Sequence, residues 1–327
     1  MYKELEAGKV KIRIEKDEAA MGQVSAQLMA EALKNAQAAG KKTVLWLMAA
    51  PSAFAFYRSF TELCRTDAQL AAVMRETDFF QFDEYPIGRD DPRFAITFRY
   101  LLEKNFLDHL TQICGSPLAV NLMEFKGDSR DEEAAAAYAD KLCRFLDDPA
   151  CFVAQLKGIG MDGHWGFHDS GAPLDTAPGI IRAPMTGLNV YQQRIDWPQY
   201  FKTDEDVPKF AYTFTVAAFM KADYIIDNVP QPSKKYSVLA TYGNDTVLND
   251  IPSSALKGHP NATAVLTQEA AEIFLEYREA CVQTKSPKIS RDMYGRLLAL
   301  WKNSANPKAQ EENTREMQTV LEKLGFI

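Results

Sequence analysis

Phe152-Val153-Ala154-Gln155-Leu156, followed after Lys157 by Gly158-Ile159-Gly160-Met161-Asp162-Gly163-His164, is the stretch that decides the fold class. A short apolar run ending in a glycine-punctuated turn reads as a buried strand that delivers its loop to a sheet edge. The turn runs on through His168 and Asp169, so two acids and two imidazoles fall within one loop. In open α/β sheets ligands sit outside the carboxyl ends of the strands. Glycine lets the backbone approach a ligand closely, and histidine titrates nearest physiological pH. The stretch therefore reads as an active site whose chemistry the pattern alone leaves open.

Outward from this turn, strand and helix patterns alternate. That alternation predicts a doubly wound, mostly parallel α/β sheet with helices on both faces, a Rossmann-like three-layer arrangement. Strands are expected at Val10–Ile14 (an edge), Lys42–Ala49, Asp78–Tyr85, Leu118–Leu122, Tyr212–Val216, Tyr224–Val229 and Ala262–Leu266. Helices are expected over about 17–38, from Ser52 as cap to about Cys64, over Pro92–Leu110, and from Ser129, where Ser129 and Glu132 suggest a capping box. Two more begin near Ser233 and Thr267. Gly171–Arg182, with several Gly and Pro and no clear period, reads as a loop or lid. Ser286-Pro287 breaks the last of these helices. The domain expectation is an α/β unit over 1–284 and a helical extension over 285–327, either a packed appendage or an oligomer contact.

The 327 residues suffice for a large core, and 46% hydrophobic with 25% charged residues is an ordinary globular composition. A formal charge of −7 argues against the basic face that nucleic acid requires. Cys64, Cys114, Cys143, Cys151 and Cys281 are scattered without paired spacing, which suits reduced thiols better than a disulfide framework or a zinc site. The charged start Met1–Glu6 lacks a signal-peptide core, and no apolar run approaches bilayer length, so a cytoplasmic protein with no membrane partner is expected.

Asp83 and Glu84 form a second candidate constellation at the carboxyl end of a strand. Alternation sends one carboxylate toward the cleft and the other into the structure. A carboxylate suits abstraction of a proton next to a carbonyl once its surroundings tune it; two solvated loop acids are the plainer alternative. His164 could shuttle a proton with Asp162 or Asp169 orienting its ring. A metal held by Asp162, His164, His168 and Asp169 is the alternative, although the spacing matches no established ligand pattern. His109 and His259 read as exposed or structural. Arg194, Lys234 and Lys235 lie at element ends, and a cation at a helix start makes an anionic ligand attractive.

These landmarks together resemble the glucosamine-6-phosphate deaminase/isomerase family, whose superfamily includes the 6-phosphogluconolactonases. Phe82-Asp83-Glu84-Tyr85 is similar to its Asp-Glu-Tyr motif, and Gly158–Asp169 to its Gly-x-Gly-x-Asp-Gly-His-x-x-Phe-Asn-Glu run. Ser253-Ser254-Ala255-Leu256-Lys257-Gly258-His259-Pro260 resembles its Ser-x-Leu-x-x-His-Pro segment. The resemblance spans about residues 10–280. It implies Asp83 as the base moving a proton between C2 and C1, and His164 as the ring-opening acid/base. Asp162 and Asp169 would orient His164. Ser52, Glu84, Arg194 and Lys235 fall around the substrate and its anionic group. The implied substrate is a glucosamine-6-phosphate-like sugar, with no cofactor or metal, and a homo-oligomer is compatible with it.

Tyr85 favours the deaminase branch, since the lactonases typically carry arginine there. Two departures stand out. The family's phosphate loop reads like Thr-Gly-Ser-Thr-Pro, whereas here it is Ala49-Ala50-Pro51-Ser52-Ala53, where Pro51 has no N–H to offer. Asp169 is one methylene shorter than the family's glutamate. A lactonase or a sugar-binding protein without turnover therefore stand as the alternatives.

Overall fold

The computed structural model describes residues 3–168, 171–185, 187–300 and 307–327. Its centre is an eight-stranded sheet. The strands in chain order are β1 (Lys3–Ala7), β2 (Val10–Glu15), β3 (Lys42–Leu47), β4 (Asp78–Gln81), β6 (Ala119–Asn121), β7 (Cys151–Lys157), β10 (Tyr224–Val229) and β11 (Ala262–Thr267). They lie in the order β1-β2-β11-β10-β7-β3-β4-β6. Every neighbouring pair is parallel except β1 with β2. A three-stranded antiparallel sheet, β5 (Asp83–Glu84), β9 (Phe210–Phe214) and β8 (Ile180–Pro184), stands beside it. The doubly wound α/β class expected from the alternation is what the chain adopts.

The helices are α1 (Glu18–Ala38), α2 (Phe54–Thr66), α3 (Ala68–Glu76), α4 (Phe98–Leu102), α5 (Asp108–Cys114), α6 (Asp131–Asp147), α7 (Gly187–Asp196), α8 (Val216–Phe219), α9 (Lys235–Tyr242), α10 (Glu272–Thr284), α11 (Arg291–Ala299) and α12 (Pro307–Lys323). Asp17 caps α1 by accepting from Ala20 N at 2.8 Å. Met21, Ser25, Met29 and Leu33 recur every fourth residue and are buried, because that spacing keeps one helix face on the sheet. Gly22 lets α2 come close: a Cβ there would lie 2.5 Å from the Ala55 carbonyl.

Several expectations are corrected. Val10–Ile14 is not an edge, since β1 pairs outside it; only Leu5 and Ala7 in β1 are apolar, so the segment carried little strand signal. The strand expected over Asp78–Tyr85 breaks after Gln81, and Asp83–Glu84 joins the small sheet. The Pro92–Leu110 helix begins later, at Phe98, and reaches Cys114 through a π-helical turn at Glu103–Leu107. The Ser129–Glu132 capping box is absent. Instead Asp131, at the start of α6, turns back to accept from Lys126 N and Gly127 N, each at 2.8 Å. Ser52 does not cap α2, and its hydroxyl donates to Gln231 Oε1 at 3.0 Å. The loop expected over Gly171–Arg182 ends in strand β8, and α3 and α7 are helices beyond those expected.

The main core fills the space around the large sheet. A second apolar cluster joins α9, α10, α11 and α12, with Leu239, Ile273, Leu297, Leu321 and Phe326 fully buried. The C-terminal helices thus pack on the α/β unit. Among the described residues no helix is long and apolar enough to cross a membrane.

Candidate active site

The carboxyl ends of β4 and β7 open onto one pocket of about 540 Å3, mouth included, with Asp83, His164, Asp196 and Lys234 on its walls. The loop Ala50-Pro51-Ser52 forms another side, and Phe98, Phe167 and Trp197 supply apolar surface.

Asp83 and Glu84 diverge as neighbours in a strand must. Asp83 lines the pocket; its Oδ1 is buried without a hydrogen-bond partner. Burial, with the adjacent Glu84 charge, raises its pKa well above the ordinary carboxylate value. Glu84 instead accepts from Tyr85 N (2.8 Å), Phe98 N (3.0 Å), Arg99 N (2.7 Å) and Gln81 Nε2 (3.1 Å). It fastens the start of α4 to β5 and does not line the pocket. Burial lifts Glu84 to about 7 even against those four donors.

His164 sits in the glycine turn after β7. Its Nδ1 lies 2.7 Å from Asp162 Oδ1, and the same oxygen accepts the His164 backbone N–H at 3.1 Å. A carboxylate on one ring nitrogen fixes the tautomer and presents the other nitrogen outward. The ring lies directly on Gly160, where a Cβ would approach its atoms to 2.1 Å. Below it, the His164 carbonyl accepts from Ser253 Oγ at 3.0 Å, and Ser253 Oγ accepts from Lys157 Nζ at 3.3 Å. Lys157 is fully buried, 3.2 Å from Asp227 Oδ2 and 4.6 Å from the Trp165 ring centre. The turn is thus tied to the sheet through a buried charge pair.

The predicted anion-holding residues divide. Ser52 lines the pocket. Arg194 does not: its guanidinium bonds Asp204 Oδ1 (2.6 Å) and the Lys202 carbonyl (2.9 Å). Lys235 turns outward to Glu272, which also binds Arg296. Lys234 takes the inward place, buried, donating to Gln192 Oε1 at 2.9 Å. Burial pushes its ammonium down to about 8, opposed by the Asp196 and Asp162 charges. Asp169 lies outside the described residues. His168 faces inward, its Nδ1 accepting from Val216 N at 3.2 Å, while His259 Nε2 meets the Ala222 carbonyl at 2.8 Å. No group of three His, Cys, Asp or Glu side chains suited to a metal occurs among the described residues.

Gln192, Gln193 and Asp196, all from the last turns of α7, line the pocket without any sequence motif that marks them. The i, i+4 spacing of Gln192 and Asp196 was the available signal, and it becomes visible once α7 is known to be a helix.

No family model matches the chain. The glucosamine-6-phosphate deaminase of Geobacillus sp. (strain WCH70) is 27% identical over 217 residues, 66% of this chain and 79% of that protein. That of Streptococcus uberis (strain ATCC BAA-854 / 0140J) is 26% identical over 253 residues, 76% and 93% of the two chains. Among solved structures, a monomeric glucosamine-6-phosphate deaminase of the NagB superfamily aligns with TM-score 0.65 at 20% identity, covering 80% of this chain and 98% of that one. The 6-phosphogluconolactonase of Trypanosoma brucei aligns with TM-score 0.58 at 17% identity, covering 80% and 97%. The two structural likenesses establish the fold. With the curated relatives, they bear out the resemblance read from Phe82–Tyr85 and the glycine turn.

Proposed function

We propose that this chain, similar as it is to glucosamine-6-phosphate deaminases, is an aldose–ketose isomerase and deaminase acting on a glucosamine-6-phosphate-like amino sugar. The observation that carries the reading is the single pocket onto which Asp83 and the Asp162-held His164 both open.

In the reaction so read, His164 moves a proton from the anomeric hydroxyl to the ring oxygen, and the ring opens to the aldehyde. The Asp83 carboxylate takes the proton from C2, the electron pair forms the C1–C2 double bond, and the aldehyde oxygen takes a proton, giving an enolamine. Return of the Asp83 proton to C1 leaves an imine at C2. Water adds there and ammonia departs, leaving the ketose. Positioned acid–base groups of this type are worth about 100- to 10,000-fold each. The raised pKa of Asp83 suits a group that must both take and return a proton. Lys234, at the start of α9, is the pocket cation available to an anionic group. Asp169 keeps the orienting role the resemblance implies, as an expectation.

The test is turnover of glucosamine 6-phosphate, followed by ammonia and ketose, for wild type and Asp83→Asn. Loss of about 1,000-fold in kcat at near-constant KM is expected. Wild-type rates in the variant overturn the proton-transfer role. Hydrolysis of a sugar lactone independent of Asp83 favours the lactonase reading, in which His164 activates water. Binding without any product favours a sugar-binding protein.

A further inference from the structure

We propose that Asp196 is the specificity residue of this pocket: it receives the substrate's ammonium group and so selects an amino sugar over the corresponding hydroxy sugar. The proposal rests on the pocket assigned above and extends it to a residue that neither the motifs nor the catalytic sequence employs.

Asp196 ends α7 and stands on the pocket wall. Its hydrogen bonding is incomplete for a carboxylate, which has room for about four donors. Its single hydrogen bond among the described residues comes from Gln192 Nε2 at 3.4 Å, beyond the usual 2.7–3.2 Å for an N–H donor. Gln192 is not free to improve that bond. Its Oε1 accepts from Met161 N and from Lys234 Nζ, each at 2.9 Å, which fixes the amide plane. The Lys234 charge acts on Asp196 across this amide, without a direct ion pair between them. Asp196 is thus a half-buried carboxylate on the pocket wall whose remaining acceptor capacity is open to a ligand.

The charge inventory points the same way. The walls carry two carboxylates, Asp83 and Asp196, against one ammonium, Lys234. The other two basic residues of the region spend their charge outside, Arg194 on Asp204 and Lys235 on Glu272. A ligand bringing only negative charge meets Lys234 but leaves Asp196 without a cationic partner. A ligand with an ammonium beside its reacting carbon and an anion elsewhere meets partners for both. An ammonium offers three N–H donors and a charge where a hydroxyl offers one neutral donor, and charge-assisted hydrogen bonds are roughly twice as strong as neutral ones. Placement next to the carbon attended by Asp83 is what a deaminase requires and what a hydroxy-sugar isomerase does not.

The experiment is calorimetric binding at pH 6.5 to the full chain carrying Asp83→Asn, so that turnover does not intrude. The probes are glucosamine 6-phosphate, glucose 6-phosphate and N-acetylglucosamine 6-phosphate. The amino sugar is expected to bind at least 10-fold more tightly than the other two, the acetylated sugar keeping the nitrogen but losing its charge. Adding Asp196→Asn is expected to weaken glucosamine 6-phosphate by 10-fold or more and to leave glucose 6-phosphate within about 2-fold. Equal binding of the amino and hydroxy sugars overturns the proposal, as does an equal weakening of both by Asp196→Asn, or no binding of any probe. The parent protein's preference decides the matter if Asp196→Asn fails to fold. Failure of the proton-transfer reading shows separately, as turnover surviving Asp83→Asn, and leaves the binding preference intact.

Discussion

Gly160→Ala is the sharpest perturbation this site offers, because its effect is steric and its size can be read from distances. An alanine Cβ at Gly160 would lie 2.1 Å from His164 Cε1 and 2.2 Å from both ring nitrogens. Ordinary contact begins near 3.4 Å, so the imidazole must retreat by 3.4 − 2.1 = 1.3 Å. Gly160 is not among the residues with positive φ, so the backbone itself tolerates alanine and the ring takes the whole displacement. A shift of that size breaks the 2.7 Å contact with Asp162 that fixes the tautomer. Misplacement of a catalytic group by about 1 Å costs on the order of 100-fold, or about 2.7 kcal/mol of transition-state stabilisation. The assay is kcat/KM for ammonia release from glucosamine 6-phosphate, with the melting temperature measured alongside. A fall of about 100-fold with a melting temperature within a few degrees of wild type is expected. Wild-type activity in Gly160→Ala would refute the placement of His164 against this glycine. Global unfolding would refute the claim that only the ring must give way.

Three further outcomes follow from buried charge and packing. Lys234→Met should raise stability near pH 7 while weakening substrate binding. The folded state holds this lysine at about 8, below its ordinary 10.5, so between those values the unfolded chain binds more protons and stability rises with pH. Below pH 8 the full cost is present, about 2 kcal/mol after allowance for relaxation, and urea titrations at pH 7 and pH 10 should show the variant's advantage shrinking. Lys157→Met should cost about 3–5 kcal/mol, because Asp227 is left charged and buried, and adding Asp227→Asn should recover most of it in the same titration. Leu321→Ala in α12, fully buried against the second cluster, should cost about 3 kcal/mol in urea unfolding. A negligible effect there would mean that the C-terminal helices do not pack as described.

The large sheet is legible where strands are mostly apolar, buried and closed by glycine or proline. Tyr224–Val229 was read to the residue, and β7 to within one at each end. Legibility failed where tertiary pairing decides the conformation. Lys3–Ala7 is a charged ribbon that becomes a strand because β2 offers it an edge, and Asp83–Glu84 leaves the main sheet because β9 pairs with it instead. At the site, Asp83, Asp162 and His164 were legible because their motifs fix strand ends and turns. The choice between Lys234 and Lys235 was not. It depends on the 3₁₀ turn Pro232–Lys234, which rotates the first lysine inward and the second outward. The place of Asp196 on the pocket wall is hidden for a similar reason: it depends on where α7 lies against the pocket, and the Gln192–Asp196 spacing alone does not give that.

Transfer of hydrogen from C2 tests the account most directly. Glucosamine 6-phosphate deuterated at C2 should yield ketose in wild-type protein with deuterium at C1 or released to solvent, by NMR, together with one ammonia per ketose, and Asp83→Asn should yield neither. Labelled ketose formed by Asp83→Asn at the wild-type rate, or no ketose from the wild type, would contradict it.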